Sequence, residues 1–224
     1  MIARSVEDIA LYRAVLLGVK PEPIASETRS APRIGFCRTH IWEQCEPATR
    51  ELLEACAKKL AAAAGATLED VTLPEDFKRV EDAHRWISSF EFARNFTYEI
   101  ENHWEKISAT LRNGRLNDGL ACSFEKYREA RDLAERCRRM LADVFMNYDV
   151  LLTPAAAGEA PIGLNSTGNA SFCAIWTTML VPAMTLPLFT GPHRLPIGAQ
   201  LIAPRNADRK LFEVARWVQR AYAY

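Results

Sequence analysis

The pattern of apolar and polar residues begins with a helix. Apolar residues recur at helical spacing between Ile9 and Leu16, and Ser5 stands before them, where its hydroxyl can cap the first turn. Gly18 follows as a stop signal. These signals predict one helix within residues 1–18.

A strand–helix–strand unit is predicted over residues 33–74. Residues 34–37 form a short apolar strand, and the stretch that begins at Pro47 alternates Leu, Ala and charged residues at helical spacing. A second strand, 66–73, ends at Pro74. Because crossovers of this kind return the chain in the same direction, we expect the two strands to be parallel.

Residues 77–148 have an almost entirely helical pattern, with a break between Asn113 and Gly119. From Phe124 onwards apolar residues are spaced three or four positions apart, and charged residues fill the positions between them. This pattern predicts a helix with one buried face, packed on a sheet or on a neighbouring helix. The predicted face comprises residues 124, 127, 130, 134, 137, 141, 144 and 148.

In residues 149–224 the pattern returns to strands. Strands are predicted at 150–152, 183–186 and 197–203, and a final helix begins at Asp208. Together with the strand–helix–strand unit, these elements predict one mixed α/β sheet to which both ends of the chain contribute.

A long loop from Thr153 to Asn169 separates the first two of these strands. It is rich in Ala, Gly, Pro, Ser and Thr, and Glu159 is its one charged residue. Compact domains usually have much shorter connections, and long loops of this kind commonly line a site. We therefore predict a pocket at this loop.

Composition excludes several classes of protein. The chain has 224 residues, of which 49% are hydrophobic and 25% charged, values typical of a globular protein with its own core. Lys and Arg (28) balance Asp and Glu (28), which removes the main electrostatic argument for a nucleic-acid or anionic-membrane partner. The least polar stretch, 173–189, is too short for a membrane span and contains two prolines.

The cysteines and histidines do not suggest a metal site. Six cysteines are widely and irregularly spaced without a C-x-x-C pair, and four histidines lack short-spaced pairing with them. We predict free thiols in a reducing, cytoplasmic environment, with neither disulfides nor metal.

Candidate nucleophiles and bases are present but isolated. Cys37 and His40 follow a predicted strand, yet no third group is positioned to orient the imidazole. Ser166 and Ser171 lack the tight glycine elbow that exposes a nucleophile. All seven lysines have charged neighbours or lie in a polar connector, so we predict that they are at the surface. The residues alone therefore predict a pocket without a catalytic group.

Several longer motifs occur in order along the chain. They are A-R-S-V-E-D-I-A at 3–10, the strand and helix that begin at 33, Y-D-V-L-L-T-P at 148–154, A-P-I-G-L-N-S-T-G-N at 160–169, W-T-T-M-L-V-P-A-M-T-L-P at 176–187, and L-P-I-G-A-Q-L-I-A at 195–203. Together they resemble the amidase signature family over nearly the whole chain. Within it they are most similar to the linear-amide hydrolases and to the A subunit of the glutamine-dependent aminoacyl-tRNA amidotransferase.

The resemblance implies that residues 1–224 are a partial amidase domain. The expected fold is the C-terminal part of the family's α/β/α fold, a mixed central sheet with helices on both faces. The implied chemistry is amide hydrolysis by a serine nucleophile, a second serine in a cis peptide and a lysine, without a cofactor. In the family these three residues lie in a segment that precedes the A-R-S-V-E-D helix. No residue here matches them, so no catalytic residue is assigned.

The resemblance also implies substrate-binding groups in and after the loop. Polar groups or close backbone approach are expected from Thr153, Thr167, Gly168 and Asn169. An apolar wall is expected from Phe172 and Trp176. In the alternative, Phe172 and Trp176 are core residues, and Asn169 only caps the next helix. Leu180 stands where similar sequences usually have glycine, and we expect it to narrow the pocket or to tilt the segment that carries Trp176.

Two hypotheses about function follow. In the first, the chain is the C-terminal portion of a hydrolase that cleaves the C–N bond of a small linear amide and is inactive until an N-terminal half completes it. In the alternative, it is a truncated structural or interaction module, or one subunit of a split amidase. A complementing chain or a second copy is the expected partner, because an incomplete sheet exposes backbone and apolar surface.

Overall fold

A mixed five-stranded sheet lies at the centre of the computed structural model, which describes residues 1–24, 31–63 and 66–223. The strands are β1 (Arg33–Cys37), β2 (Thr67–Val71), β3 (Val150–Pro154), β4 (Ala183–Thr190) and β5 (Pro196–Ile202). Their order is β2–β1–β3–β5–β4, with β1 parallel to β2 and β3, and β5 antiparallel to β3 and β4. The predicted mixed α/β sheet and its parallel strand–helix–strand unit are confirmed.

Helices flank this sheet in two groups. They are α1 (Val6–Leu17), α2 (Pro47–Ala62), α3 (Val80–Asn95), α4 (Thr97–Asn102), α5 (Ala109–Leu111), α6 (Asn117–Ala121), α7 (Phe124–Val144), α8 (Ser171–Met179) and α9 (Asp208–Ala223). Short 3-10 turns lie at Trp42–Gln44, Glu75–Arg79 and Trp104–Lys106, and a π-helical turn lies at Arg112–Leu116. α1 and α2 pack against α9, whereas α3, α7 and α8 pack against one another.

The predicted N-terminal helix forms with the predicted end signals. The Ser5 hydroxyl accepts a hydrogen bond from the Asp8 backbone N–H at 3.1 Å, and Gly18 ends α1 in the left-handed conformation at φ 64°. The predicted capping residues, Ser5 and Gly18, therefore begin and end α1 as expected.

Several predicted strand boundaries differ from the structure, most clearly those of β2 and β4. The predicted strand 66–73 is limited to β2, whereas the predicted strand 183–186 extends to Thr190 across a register shift between Leu186 and Phe189. β4 is an edge strand in the described sheet, and an edge tolerates Pro187, which cannot donate a ladder hydrogen bond.

The apolar face predicted for α7 is buried only in its middle. Ala130, Ala134, Cys137 and Leu141 are buried, together with Leu133, which the spacing did not include. Phe124, in the first turn of α7, is instead 64% exposed, and the last predicted position, residue 148, lies beyond the end of the helix. The helical periodicity is correct, but the neighbouring elements cover only the central turns.

Candidate functional site

The candidate site lies at the edge of the sheet where β1 and β3 end. Because these strands are parallel, their carboxyl ends meet at one edge, and the loop of residues 155–170 leaves β3 there. The Ala157 carbonyl accepts a hydrogen bond from the Glu46 N–H at 2.8 Å, and the Asn169 side chain donates to Gln44 Oε1 at 3.0 Å. Both ends of the loop are thus held against the segment that follows β1.

The base of the site contains buried polar groups without partners. Thr153 on β3 lies directly opposite Gln200 on β5, and these residues are 0% and 4% exposed. Thr153 Oγ1 and Gln200 Oε1 form no hydrogen bond, although Gln200 Nε2 donates to Cys173 Sγ at 3.8 Å. Unsatisfied buried polar atoms are rare and are often found at binding sites. This pair is therefore the strongest structural sign of a site at this edge.

The outer part of the loop is exposed. Thr167, Gly168 and Asn169 are all at the surface, and Gly168 has φ 88°, which glycine adopts without strain. Asn169 Oδ1 accepts from the Ser171 N–H at 2.9 Å at the start of α8. The N-cap residue of α8 is Ala170, so the bond that Asn169 makes is a local one beside the cap. The contact of Asn169 with substrate stays a prediction, as do those of Thr167 and Gly168.

Phe172 and Trp176 lie in the core of the described chain. They are 2% and 1% exposed and belong to the main apolar cluster. Trp176 Nε1 is buried without a hydrogen-bond partner, which is unusual for an indole N–H. The core alternative thus describes their present packing, whereas an apolar wall toward substrate stays a prediction.

Glu159 is a residue of the site that the sequence analysis did not select. Its carboxylate accepts hydrogen bonds from His193 N, Leu195 N and His193 Nδ1, the last at 2.7 Å. Burial acts to raise the pKa of Glu159, but these donors outweigh it and hold the pKa below its ordinary value. Glu159 therefore ties the loop to the β4–β5 hairpin, and its position as the one charge in the loop was the available signal.

Cys37 and His40 do not form a nucleophile and base. Cys37 is fully buried, and burial raises the pKa of its thiol to about 12. The pKa of His40 is lowered, first by partial burial and then by Lys78, against the opposing effect of Glu81. A buried, protonated thiol cannot attack a substrate, which agrees with the sequence analysis.

Among the described residues, neither the lysines nor the two candidate serines, Ser166 and Ser171, form an activated nucleophile. All seven lysines lie in the described residues and are exposed, as predicted. The Ser171 hydroxyl donates a short hydrogen bond to Glu81. Within residues 1–24, 31–63 and 66–223, no three His, Cys, Asp or Glu residues are grouped to hold a metal ion.

Apolar residues of α1 are exposed, and a cavity lies between the start of the chain and β4. In α1 and just after it, six apolar residues are half or more exposed: Leu11, Tyr12, Val15, Leu16, Leu17 and Val19. A cavity of about 550 Å³ lies between residues 1–6 and residues 183–187 of β4. We call the six residues, this cavity and the free edge of β4 the open apolar face. Monomers rarely expose apolar areas of this kind.

Leu180 ends α8 in the left-handed conformation, at φ 56° and ψ 41°. Residues other than glycine adopt this conformation at a steric cost, because their Cβ atom approaches the following carbonyl oxygen. The Arg138 guanidinium donates to the neighbouring Thr178 carbonyl at 2.8 and 3.0 Å and so supports this helix end. The expected narrowing of the pocket by Leu180 stays a prediction.

Among the described residues, no helix combines the length and the apolar character that crossing a membrane requires.

Comparison with known proteins identifies one family model, described as Amidase, that matches residues 1–212. The 2-amino-5-chloromuconic acid deaminase of Comamonas testosteroni is 26% identical over 98% of this chain and 50% of its own length. The A subunit of the mitochondrial glutamyl-tRNA(Gln) amidotransferase of Aedes aegypti is 28% identical over 62% of this chain and 30% of its own.

The fold has clear counterparts among solved structures. A crystal structure of an amidase superposes with a TM-score of 0.85 at 24% identity, over 97% of this chain and 51% of that one. A fatty acid amide hydrolase superposes with a TM-score of 0.76 at 17% identity, over 99% of this chain and 47% of its own. The chain thus spans about half the length of the relatives that match it almost completely.

Proposed function

The chain belongs to the amidase family, and from this premise we propose that it supplies one part of a hydrolase that cleaves the C–N bond of a small linear carboxylic amide. Its fold is that of an amidase-family hydrolase. The observation that carries the proposal is the open apolar face beside β4, which a further part of the fold would cover.

We propose that the 224-residue chain is inactive by itself. Acyl transfer requires a nucleophile, a base and oxyanion donors within hydrogen-bonding distance of one carbonyl. A lysine acts as a base most readily where burial suppresses its charge, but every lysine here is exposed. The nucleophile and base would therefore have to come from the complementing part.

The chain's own contribution would be the floor and one wall of the substrate pocket. The residues proposed for this role are Thr153, Thr167, Gly168, Asn169, Phe172 and Trp176. Thr153 has the strongest support, because its buried hydroxyl lacks a partner beside Gln200. No cofactor is required by this proposal, because hydroxyl and amine groups suffice for acyl transfer.

The proposed partner is a polypeptide that supplies the remaining half of the fold. It would add a strand to the free edge of β4 and an apolar layer over α1. Strand addition satisfies the unpaired backbone groups of an edge, and the apolar layer removes the exposed side chains of α1 from water. We place the protein in a reducing compartment such as the cytoplasm, since all six cysteines are free.

The experiment is an amide-hydrolysis assay of the purified chain on a panel of small linear amides. We expect no hydrolysis above background from the chain alone, and hydrolysis after co-refolding with the segment of an amidase relative that this chain does not match. The same mixture made with Thr153→Val should hydrolyse more slowly. Hydrolysis by the chain alone that a serine-directed inhibitor abolishes would contradict the proposal.

A non-catalytic role is the second candidate, because the open apolar face could serve binding alone. Whether the chain persists as a structural or interaction module is decided by the co-refolding experiment. A stable complex without any hydrolysis would favour the module, whereas a complex that hydrolyses an amide would favour the split enzyme.

A further inference from the structure

We propose that a cavity at the sheet edge opposite the candidate site binds a small anionic amphiphile, a molecule with a carboxylate at one end and an apolar tail. The proposal goes beyond amide hydrolysis, because none of the residues it uses belongs to the proposed substrate pocket. It rests on the place of the cavity, on its apolar lining and on an excess of arginine around it.

The cavity lies near the edge of the sheet where β3 begins. Its volume is about 430 Å³, and three segments line it: the last turns of α7 with the two residues after them, residues 179–181 at the end of α8, and residues 204–205 just after β5. Because β5 is antiparallel to β3, its carboxyl end lies beside the start of β3. The candidate site lies at the other end of β3, so the two places are separate.

One face of α7 forms a wall of this cavity. The lining residues on this segment recur at helical spacing and therefore fall on one stripe. The stripe begins with Glu135, Arg138 and Arg139 and continues with Ala142, Phe145 and Met146. It thus changes from charged to apolar along its length, which matches a ligand with one charged and one apolar end.

The apolar end of the cavity combines a buried base with exposed walls. Phe145 and Met179 are buried, whereas Val181 and Pro204 are half-buried and Met146 is 77% exposed. An apolar tail between these residues would remove their exposed surface from water, which is favourable. The volume falls within the range of about 300 to 1,000 Å³ that is typical of small-molecule sites.

The charged end has more arginine than carboxylate. The Arg138 guanidinium lies 3.1 Å from Glu135, and Arg139 reaches the same carboxylate only at 4.0 Å. Arg205 forms no ion pair within the described part of the chain. Glu135 is the one acidic group among the described residues that line the cavity. The excess positive charge favours an anion, and the planar fork of a guanidinium matches a carboxylate.

The test is isothermal titration calorimetry of the 224-residue chain with octanoate and with 1-octanol, which has a tail of the same length but no charge. We expect one octanoate per chain, bound more tightly than 1-octanol, and an affinity that falls with added salt. Equal affinity for the two probes, or no saturable binding of octanoate, would overturn the proposal.

A variant that fills the cavity tests the location. Ala142 lines the cavity and is exposed, so Ala142→Trp should place an indole there without disturbing the core and should abolish octanoate binding. Thermal unfolding checks that this variant remains folded. Unchanged octanoate binding by the folded variant would show that the ligand lies elsewhere and would contradict the proposal.

Substitution of the exposed arginines tests the charge. Arg139→Gln and Arg205→Gln should each weaken octanoate binding by about two- to fivefold, the range of one exposed ion pair, and leave 1-octanol binding unchanged. Arg128→Gln, at an exposed position of α7 outside the cavity, is the matched control. Leu16→Lys, which alters the open apolar face, should also bind octanoate like the parent chain. Equal weakening by Arg128→Gln, or loss of binding in Leu16→Lys, would overturn the proposal.

Discussion

Helices α1 and α9 lie side by side but differ in how far their apolar residues are buried. Two ion pairs of 2.9 Å, Arg13–Asp208 and Glu7–Arg216, join them. α9 buries its apolar stripe against β4, β5 and α2, whereas α1 buries Val6 and Ala14 and exposes most of its other large apolar residues.

The difference shows where the fold of this chain is self-sufficient and where it is not. α9 follows the usual rule of one apolar face and one polar face, and its neighbours in the chain cover that face. α1 is apolar around much of its circumference, a pattern that belongs to a helix buried on more than one side. The chain supplies only one of those sides among its described residues.

Truncation of one leucine on each helix should give the largest contrast. Leu211→Ala, in the buried stripe of α9, should lower the free energy of unfolding by about 2–5 kcal/mol. Leu16→Ala on α1 should change it by no more than about 0.5 kcal/mol, because that side chain is 66% exposed. Urea unfolding of both variants at a concentration low enough for the chains to be monomeric measures the difference, and similar losses would mean that α1 is covered within the chain itself.

The stability that Glu159 provides by joining the loop to the β4–β5 hairpin should depend on pH. Its pKa is below the ordinary value, so its stabilising effect is complete above about pH 4.5 and is lost as the pH falls through the lower value of the folded state. Glu159→Gln should therefore melt below the parent chain near neutral pH, and the gap should close as the pH falls below 4.5 and through the lower pKa of the folded state.

Thermal unfolding across this pH range measures the gap. Glu129→Gln, at an exposed position on α7, is the matched control and should follow the parent curve throughout. A gap for Glu159→Gln that stays constant with pH would show that the carboxylate does not hold the hairpin through its charge.

Substitution of Leu180 by glycine should have a smaller effect and should stabilise the protein. Leu180→Gly should raise the free energy of unfolding by about 1 kcal/mol, because glycine adopts the left-handed conformation without steric cost. Leu180→Ala retains that cost and serves as the control, for which we expect no gain. Urea unfolding distinguishes the two variants, and equal behaviour would mean that the helix end is not strained.

Local signals predicted much of this fold. The capping of α1 by Ser5, its stop at Gly18 and the parallel pairing of β1 with β2 all follow from short stretches of sequence. The exposure of Phe124 and the length of β4 depend instead on which elements lie nearby, and this information is not contained in the spacing of apolar residues.

The site was less predictable than the fold, because its contacts join distant positions. The loop was recognised from its length and small residues, but the bonds from His193 and Leu195 to Glu159 span more than 30 residues. The same holds for Thr153 and Gln200, which meet only when β3 pairs with β5. Their missing hydrogen bonds are visible only in three dimensions.

Sedimentation velocity of the purified chain, compared with Leu16→Lys, tests the central claim most directly. We expect the parent chain to associate through the open apolar face and the variant to sediment largely as a monomer. At concentrations low enough for both chains to be monomeric, their free energies of unfolding should agree within about 0.5 kcal/mol, because the substituted side chain is exposed. A parent chain that sediments as a monomer and unfolds in one sharp transition would contradict the account.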